Sequence, residues 1–502
     1  MARNFRNGSL ANTVTAVATA QTDDSPLLLL SGEVSTQIEG AGQFQDASAQ
    51  TLDDVAILKP ITRYSSSVDN SKALPRLLRR AFLHLRAKPS GPVHLSLPRD
   101  CLTDDLDAIY VPITQSLADP QILSQTGANA SLQHFASGPT KIVILAGAGV
   151  AHGDAAALLI RFAETYQIPV ATTLRAKGVF PEDHPLSLGV FGYAGTHHAR
   201  MALTDAPPDL LIVLGSGLDE RDTMHWSLNL MPARTISVNL STSAIGEHSE
   251  DGGVIGDCGA YLDFLLSNTE TISHGLEQSI ALRLAWLAGI RDTPRLQEEE
   301  NTKSAAVPIH PARIIAELRH AFPRDGILLI DSGAHRAFAG HYWESYAPHT
   351  YISATNLGPM GWAIAAACGV QCAQPDRRVT VITGDRCMRM QGMEIATAAR
   401  YKLPVIFVVI NNASLGNVWL RAHELGPVPD ELTRLPDHDW ATFAQSLGCR
   451  GETVRTPDEL EGAFNRALAG KGPCVVDIKA DKNCKTPVQD WAHAVAAYSY
   501  HE

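Results

Sequence analysis

The chain reads VTVITGDRCMRMQGMEIATAARYKLPVIFVVINNASLG from Val379 to Gly416. The β-branched run Val379–Thr383 predicts a strand, and Gly384-Asp385 ends it. Apolar residues at helical spacing follow and predict an amphipathic helix. A second apolar run, Val405–Ile410, predicts another strand. The stretch therefore predicts one βαβ unit of a parallel sheet.

Polar residues follow both strands of this unit, with Asp385 after the first and Asn411-Asn412 after the second. The carboxyl ends of parallel strands meet at one crevice, where doubly wound sheets bind their ligands. Mg²⁺ prefers oxygen ligands such as those of carboxylates, amides and carbonyls. Phosphates and water commonly complete its coordination shell. The pattern predicts a site for a metal ion and a phosphate; two Asx-rich turns in an ordinary α/β protein are the alternative.

The same pattern resembles the diphosphate-binding motif of thiamine-diphosphate-dependent enzymes, in which Gly-Asp-Gly precedes a helix, a strand and Asn-Asn. The separation between Asp385 and Asn412 fits that motif. The resemblance implies that Asp385, Asn412 and the main-chain carbonyl of Ser414 bind Mg²⁺. It also implies further cofactor contacts from Gly384, Leu415 and Gly416.

One position departs from the motif, since Arg386 stands where the family has glycine or another small residue. An arginine at this cofactor-binding position could add a charge-assisted contact to the diphosphate. Its bulk could instead crowd the cofactor. Both alternatives stay open at the level of sequence.

Two further turns match cofactor-binding turns of the family. The strand Ile327–Ile330 leads into a turn that the resemblance assigns to the diphosphate, with Gly333, Ala334 and His335 as candidates; a capped loop residue is the alternative for His335. The segment Asn356–Gly361 matches the turn that supports the bent cofactor. Its candidates are Gly358 and Met360, and a core methionine is the alternative for Met360.

Composition bounds the class of protein. The 502 residues suggest about three domains, and 45% hydrophobic with 19% charged residues describe an ordinary globular protein. The formal net charge of −12 argues against a nucleic-acid partner. No apolar run approaches the ~20 residues that a membrane span needs. The eight scattered cysteines predict reduced thiols and a cytoplasmic protein.

The first 115 residues resemble the later half of the family's pyrimidine-binding (PYR) domain. The matching elements are a Gly8–Asn12 helix start, a Phe44-Gln45 turn and the strand segment Gly91–Pro98. Phe44 and Gln45 match positions on the substrate side, which makes them the candidate catalytic residues.

The resemblance also shows what the segment lacks. In the family, a glutamate in the earlier half of this domain binds the pyrimidine and generates the reactive ylide, yet no acidic residue precedes Asp23. Glu33 aligns with a later position, commonly glutamine. Three explanations compete: a separate small subunit that supplies the missing segment and its glutamate, a truncated or mis-started gene product, or a non-catalytic relative. We expect the first.

The predicted fold class is α/β, with three doubly wound domains. These are a partial PYR domain at 1–115, a central domain at 138–268, a diphosphate- and Mg-binding (PP) domain at 305–490 and a tail at 491–502, which could close over the site. We expect a linker at 116–140 and a solvated connector at 269–307. Gly147-Ala148-Gly149 is a weak dinucleotide fingerprint. The family's central domain holds FAD, ADP or nothing, so FAD is possible but not favoured.

The resemblance extends from Gly8 to about Ile478 and implies an acetolactate-synthase-like large subunit. The implied reaction is thiamine-diphosphate- and Mg²⁺-dependent decarboxylation of a 2-oxoacid, followed by carboligation. We expect a hetero-oligomer whose small subunit supplies the activating glutamate, and a homodimer of this chain as well. The alternatives are a simple 2-oxoacid decarboxylase, a non-catalytic scaffold or regulatory subunit, and an FAD-using oxidase of the same superfamily.

Overall fold

The computed structural model describes residues 2–3, 10–106, 113, 121–152, 154–223, 234–246, 253–426 and 429–488. In these ranges three parallel sheets are flanked by helices, which confirms the doubly wound α/β class. Contacts divide the chain into two compact units. The first comprises Met1–Gln121 with Ala354–Pro359, and the second comprises Ile122–Ser353 with Met360–Glu502. The proposed tail at 491–502 lies outside the described residues, as does Gly8.

The first unit contains one four-stranded parallel sheet. Its strands are β1 Ala2–Arg3, β2 Leu28–Glu33, β3 Tyr64–Ser67 and β4 Val93–Pro98, and its helices are α1 Val14–Thr22, α2 Asp54–Leu58, α3 Leu74–Arg86 and α4 Arg99–Thr103. The strand order is β1-β2-β4-β3. Asn356 donates through Nδ2 to Thr22 O at 2.7 Å, which anchors the returning segment Ala354–Pro359 to this unit.

The second unit begins with a six-stranded parallel sheet. Its strands are β5 Ile142–Ala146, β6 Val170–Thr172, β7 Ser187–Val190, β8 Leu210–Leu214, β9 Thr235–Asn239 and β10 Gly253–Ile255, in the order β10-β9-β8-β5-β6-β7. The helices are α5 Gln125–Ala136, α6 Ala155–Tyr166, α7 His197–Arg200, α8 Thr242–Gly246, α9 Cys258–Ser267, α10 Thr269–Glu277 and α11 Ile280–Arg291. β5 and β8 are buried along their whole length, as expected for strands covered on both faces.

The two expected connectors are wrong in part, because helices form in both. The stretch 116–140 contains α5, which Ser124 caps by accepting from Gly127 N at 3.3 Å. The stretch 269–307 contains α10 and α11, and the fully buried Arg283 donates to Thr140 O at 3.1 Å and Pro139 O at 3.3 Å. Polar composition hid α5, whereas α11 is mostly apolar and was hidden by the acidic run Glu298–Glu300 that follows it in the same stretch.

The Gly147–Gly149 turn follows β5 and packs against the turn that follows β8. A Cβ atom at Gly147 would lie 2.5 Å from Gly215 O, and one at Gly149 would lie 2.8 Å from Gly215 Cα. The glycines therefore permit close contact between two backbone turns, a structural explanation for the weak fingerprint.

The second unit continues with another six-stranded parallel sheet. Its strands are β11 Ile327–Ile330, β12 Tyr351–Ser353, β13 Val379–Gly384, β14 Ile406–Asn411, β15 Arg450–Val454 and β16 Cys474–Lys479, in the order β12-β11-β13-β14-β16-β15. The helices are α12 Pro311–Ala321, α13 Ala334–Tyr342, α14 Trp362–Ala373, α15 Asp385–Gln391, α16 Ile395–Arg400, α17 Gly416–Leu425, α18 Trp440–Ser446 and α19 Leu460–Ala469. No helix in the described ranges is both long and apolar enough to cross a bilayer.

The predicted βαβ unit is present as β13, the helical segment α15–α16 and β14. The helical segment is longer than expected, since α15 starts at Asp385 itself and a short 3₁₀ turn joins it to α16. β13 lies between β11 and β14, and β16 lies on the other side of β14. The carboxyl ends of four neighbouring strands therefore form one continuous edge of this sheet.

A buried ion pair braces the second unit between its two sheets. Lys177 Nζ lies 2.7 Å from Glu182 Oε1, and both side chains are almost fully buried. Glu182 Oε2 accepts from Ser345 N at 2.7 Å, which ties the pair to the segment after α13. Burial lowers the pKa of Lys177, and the Glu182 carboxylate opposes that effect.

We expect Glu182→Ala to lower the free energy of unfolding by about 3–5 kcal/mol, because it leaves the Lys177 ammonium buried without its partner. The control is the neighbouring substitution Asp183→Ala, which breaks an exposed ion pair with Arg324 and should cost far less. Urea denaturation of both variants measures the difference. Equal losses for the two variants would contradict this assignment.

Candidate metal and cofactor site

An open cavity of about 140 Å³ lies at the carboxyl edge of the second unit's β11–β16 sheet. The structure brings eleven of the sequence-predicted cofactor positions to its wall. They are Gly333, Ala334, His335, Met360, Gly384, Asp385, Arg386, Asn412, Ser414, Leu415 and Gly416. They come from the turns after β11, β13 and β14 and from the segment before α14, so strand order assembles them.

Asp385 and Asn412 are joined through one main-chain group. Ser414 N lies 3.2 Å from Asp385 Oδ2 and 3.2 Å from Asn412 Oδ1, so a single N–H faces both side-chain oxygens. The other carboxylate oxygen, Asp385 Oδ1, accepts from Arg386 N at 2.8 Å. The two candidate ligand side chains are thereby fixed next to each other before any ligand enters.

The Ala413–Leu415 loop holds this geometry from the other side. Ala413 has a φ of 50°, a left-handed conformation that alanine rarely adopts. A second segment supports it, because Leu415 N donates to Thr433 O at 2.8 Å and Leu435 N donates to Ala413 O at 2.7 Å. The strained residue is thus maintained by its surroundings, as is common at binding sites.

Burial disfavours the charged form of the Asp385 carboxylate. Its pKa is raised to about 6, chiefly by desolvation, while hydrogen bonds from the main chain at Arg386, Ser414 and Ala413 oppose the rise. Among the described residues no cluster of three or more His, Cys, Asp or Glu side chains could hold a metal ion. The set present is instead one carboxylate, one carboxamide and one nearby carbonyl, which fits Mg²⁺ with open positions for phosphate and water.

The two adjacent asparagines have different roles. Asn411 ends β14 and donates through Nδ2 to Asp477 Oδ1 at 2.9 Å and to His438 O at 3.0 Å. Asn412 lies just beyond the strand and lines the cavity. The first asparagine therefore ties β14 to its surroundings, and only the second is available to a ligand.

His335 lies in the first turn of α13, against two glycines. A Cβ atom at Gly333 would lie 2.4 Å from His335 Cε1, and one at Gly384 would lie 3.1 Å from the same atom. Burial lowers the pKa of His335 to about 3, so the ring is neutral at physiological pH. Its buried Nε2 has no hydrogen-bond partner among the described residues. A polar ligand atom in the cavity would satisfy it.

Asp331, which ends β11 at the same edge, has a structural role. Its Oδ1 accepts from Ala363 N at 3.0 Å and its Oδ2 accepts from Thr383 Oγ1 at 2.7 Å. It therefore joins the start of α14 to β13, and it is not among the residues that line the cavity. Burial raises its pKa to about 6.

Arg386 and Met360 both have exposed side chains at the cavity wall. Met360 is 37% exposed, which disfavours the alternative of a core methionine. The Arg386 side chain extends to solvent while the cavity stays open beside it. Their roles toward a cofactor stay predictions.

Phe44, Gln45 and Gly358 belong to the first unit. Phe44 is 80% exposed, and Gln45 and Gly358 have φ values of 62° and 65°. Glu33 braces the loop that contains Phe44, because its Oε1 accepts from Val34 N at 2.6 Å and from Ala47 N at 3.2 Å. The assignment of Phe44 and Gln45 to substrate binding, and of Gly358 to the cofactor, stays a prediction.

Sequence reasoning missed one wall of the cavity, the segment that follows β16. Asp481, Lys482 and Cys484 from this segment line the cavity. Because β16 is the neighbour of β14, its carboxyl end lies beside Asn412. The signal that could have found it is the β-branched stretch Val475–Ile478, interrupted only by Asp477, which predicts one more strand of the same sheet. Cys387, two residues after Asp385, was also missed and donates to Ser332 O at 3.3 Å.

Comparison with known proteins agrees with this geometry. Residues 331–478 match the family model "Thiamine pyrophosphate enzyme, C-terminal TPP binding domain". Residues 137–265 match "Thiamine pyrophosphate enzyme, central domain". The fold and the matches define the class: the chain is a thiamine-diphosphate-dependent enzyme.

Curated relatives narrow the class. The chain is 30% identical over 483 residues to the probable acetolactate synthase large subunit of Methanocaldococcus jannaschii, covering 94% of this chain and 79% of that protein. It is 31% identical over 478 residues to the acetolactate synthase large subunit of Corynebacterium glutamicum, with 93% and 74% covered. For the isozyme 3 large subunit of Escherichia coli the identity is 28% over 466 residues, with 91% and 79% covered. The chain belongs to the acetolactate synthase large-subunit family of thiamine pyrophosphate enzymes.

Gly416 tests whether the cavity wall is as tightly built as it appears in the structure. A Cβ atom there would lie 3.2 Å from both Ala334 Cβ and Asn412 Nδ2. We expect Gly416→Ala to displace Asn412 and to weaken binding of thiamine diphosphate with Mg²⁺ about 10-fold, the usual effect of disturbing a ligand through its neighbour. Calorimetric titration measures the affinity.

The control is Gly369→Ala, the same change inside α14 at a position with nothing within 4 Å. It should leave the affinity unchanged and raise the free energy of unfolding by about 0.5–1 kcal/mol, because alanine favours the helix over glycine. If Gly416→Ala binds thiamine diphosphate with Mg²⁺ as tightly as the wild type does, the prediction is wrong, and the cavity wall accommodates the added methyl group without displacing Asn412.

Proposed function

We propose that this chain binds thiamine diphosphate through Mg²⁺ at the Asp385–Asn412–Ser414 cradle and catalyses decarboxylation of a 2-oxoacid followed by carboligation. The observation that carries the proposal is the shared Ser414 N–H, which fixes the carboxylate and the carboxamide next to each other in an open cavity. The relatives named acetolactate synthase support the reaction type.

Each wall of the cavity would have a defined task toward the cofactor. Asp385, Asn412 and the Ser414 carbonyl would hold the metal ion, and a cation there would offset the burial that raises the pKa of Asp385. The turn Gly333–His335 and the glycines at 384 and 416 would let the diphosphate approach the main chain closely. Met360 and Leu415 would support the rest of the cofactor. Thiamine diphosphate, when bound, supplies the electron sink that loss of CO₂ requires.

We propose that the carboxylate that activates the pyrimidine comes from outside residues 1–502, on a separate small-subunit polypeptide. Two observations support this. One carboxylate oxygen of Glu33, the nearest candidate in the first unit, already accepts from the main chain at Val34 and Ala47. The relatives are named large subunits, a term that implies a smaller partner. A homodimer of this chain is part of the same proposal, because the family builds each site from two polypeptides.

A cytoplasmic location is the last part of the proposal. All eight cysteines are free thiols, as expected in a reducing compartment. The proposal includes neither FAD nor a nucleotide at the central sheet.

The metal site is tested by titrating thiamine diphosphate with Mg²⁺ into the wild type and into Asp385→Ala. We expect the substitution to weaken binding by more than about 100-fold, because even indirect partners of metal ligands cost about 10- to 100-fold when removed. The matched control is Asp183→Ala, which removes an exposed carboxylate that does not line the cavity. This variant should bind thiamine diphosphate with Mg²⁺ as the wild type does. If Asp385→Ala also binds as the wild type does, the cradle does not hold the metal.

The source of the activating carboxylate is tested by exchange of the cofactor's C2 proton for deuterium, followed by NMR in the presence of Mg²⁺. With the 502-residue chain alone, we expect exchange about as slow as for free thiamine diphosphate. Co-expression with the small polypeptide that purifies with it should accelerate exchange by several orders of magnitude, since proton transfer by a positioned group contributes about 10²–10⁴-fold. Fast exchange with this chain alone would overturn the proposal, and Glu33→Gln would then identify its carboxylate.

The reaction type is tested with pyruvate and an acceptor carbonyl compound. Acetohydroxy acid or acyloin products support carboligation, and acetaldehyde alone would identify a simple decarboxylase. An Asp385→Ala chain that leaves the output of the assembled enzyme unchanged would identify a scaffold.

A further inference from the structure

Arg386 is the residue of the cavity wall that the family motif does not explain. It stands in the first turn of α15, where its main-chain N–H donates to Asp385 Oδ1 at 2.8 Å. The residue lines the cavity, and its side chain is exposed. Among the described residues the guanidinium has no hydrogen-bond or ion-pair partner. The main chain of Arg386 thus binds Asp385, while the charge of its guanidinium is available to a ligand.

The other charged groups of the cavity show how much positive charge the wall would have without Arg386. Its wall carries two carboxylates, Asp385 and Asp481, and two cations, Arg386 and Lys482. His335 is neutral, because burial lowers its pKa to about 3. Lys482 Nζ lies 3.8 Å from the centre of the Trp419 ring, so this cation rests on an aromatic face. With glycine at position 386, as in the motif, the acids of the wall would outnumber its bases, and an anion would depend more strongly on a metal ion.

A second arginine on the same helix provides a contrast. Arg389 donates through a terminal nitrogen to Pro436 O at 2.9 Å and lies at a different surface cavity, beside Met390 and Met393. One turn of helix thus separates an arginine with a structural partner from one at the wall of the proposed cofactor cavity. A planar guanidinium can bind two phosphate oxygens at once.

We propose that the Arg386 guanidinium binds the diphosphate group directly, as a second cation beside the metal ion, so that this chain retains diphosphate when the metal is removed. The inference rests on the proposed function and concerns the same site. It assigns to Arg386 part of the charge neutralisation that Mg²⁺ alone performs when the motif residue is glycine. The contact needs no movement of Asp385, whose hydrogen bond to residue 386 involves only the main chain.

The experiment measures binding of two probes, inorganic pyrophosphate and thiamine diphosphate, to the full chain by calorimetry. Each titration is run once with Mg²⁺ and once with EDTA at low ionic strength. The variants are Arg386→Gly, which restores the motif residue, Arg386→Gln, which keeps helix propensity, and Arg386→Lys, which keeps the charge. Arg389→Gln is the control, and circular dichroism confirms that each variant folds.

We expect wild type to bind both probes in EDTA, and Arg386→Gly and Arg386→Gln to bind about 10- to 100-fold more weakly, the usual worth of a hydrogen bond to a charged group. Arg386→Lys should fall in between, and Arg389→Gln should match wild type. In Mg²⁺ the differences should shrink, since the metal supplies most of the attraction.

Two results would overturn the inference while leaving the proposed function intact. One is wild-type binding that occurs only with Mg²⁺; the other is equal affinity of wild type and both uncharged variants in EDTA. If neither probe binds the wild type in Mg²⁺, the proposed function fails and the inference fails with it.

Discussion

The site depends on one main-chain N–H, that of Ser414, which faces a carboxylate oxygen and a carboxamide oxygen at equal distance. Neither Asp385 nor Asn412 could be held by its own strand alone, since each lies beyond a strand end. The loop that presents Ser414 passes through the left-handed Ala413 and is fixed by pairing with the segment around Thr433. A strained loop, supported from behind, therefore keeps the two proposed oxygen ligands in place, so that binding of the proposed metal ion would not have to order them.

The parallel sheet makes this arrangement possible. β11, β13, β14 and β16 are consecutive neighbours, so their following residues share one edge although they are far apart in sequence. Asp331 uses that edge for structure, by joining α14 to β13, while Asp385 uses it for the cavity. Both carboxylates are buried and both have a pKa raised to about 6. Only Asp385 lies at an open cavity. Burial and a shifted pKa alone therefore do not distinguish a residue that could bind a metal ion from one that only joins structural elements.

Much of this could be predicted from the sequence, for identifiable physical reasons. The strands β13 and β14 are long apolar runs bounded by Gly384 and Asn412, and such runs are the most readable local signal. The helix in 116–140 was missed because its small polar residues give no apolar period, and those in 269–307 were missed because the acidic run Glu298–Glu300 dominated the prediction for that stretch. The wall formed by Asp481, Lys482 and Cys484 was missed for a different reason: it follows from strand order, which a local pattern does not contain. Whether the Arg386 guanidinium has a partner was not predictable either, because that depends on which elements pack around α15 and not on the local pattern.

The central claim is that Asp385, Asn412 and Ser414 hold a metal ion that carries the diphosphate. The most direct measurement is electron–nuclear double resonance on the enzyme loaded with Mn²⁺, which accepts the same oxygen ligands as Mg²⁺, and thiamine diphosphate. The account predicts a ³¹P hyperfine coupling from the diphosphate in the wild type, and its loss or strong decrease in Asn412→Ala. Bound Mn²⁺ without ³¹P coupling, or a coupling that Asn412→Ala leaves unchanged, would contradict it.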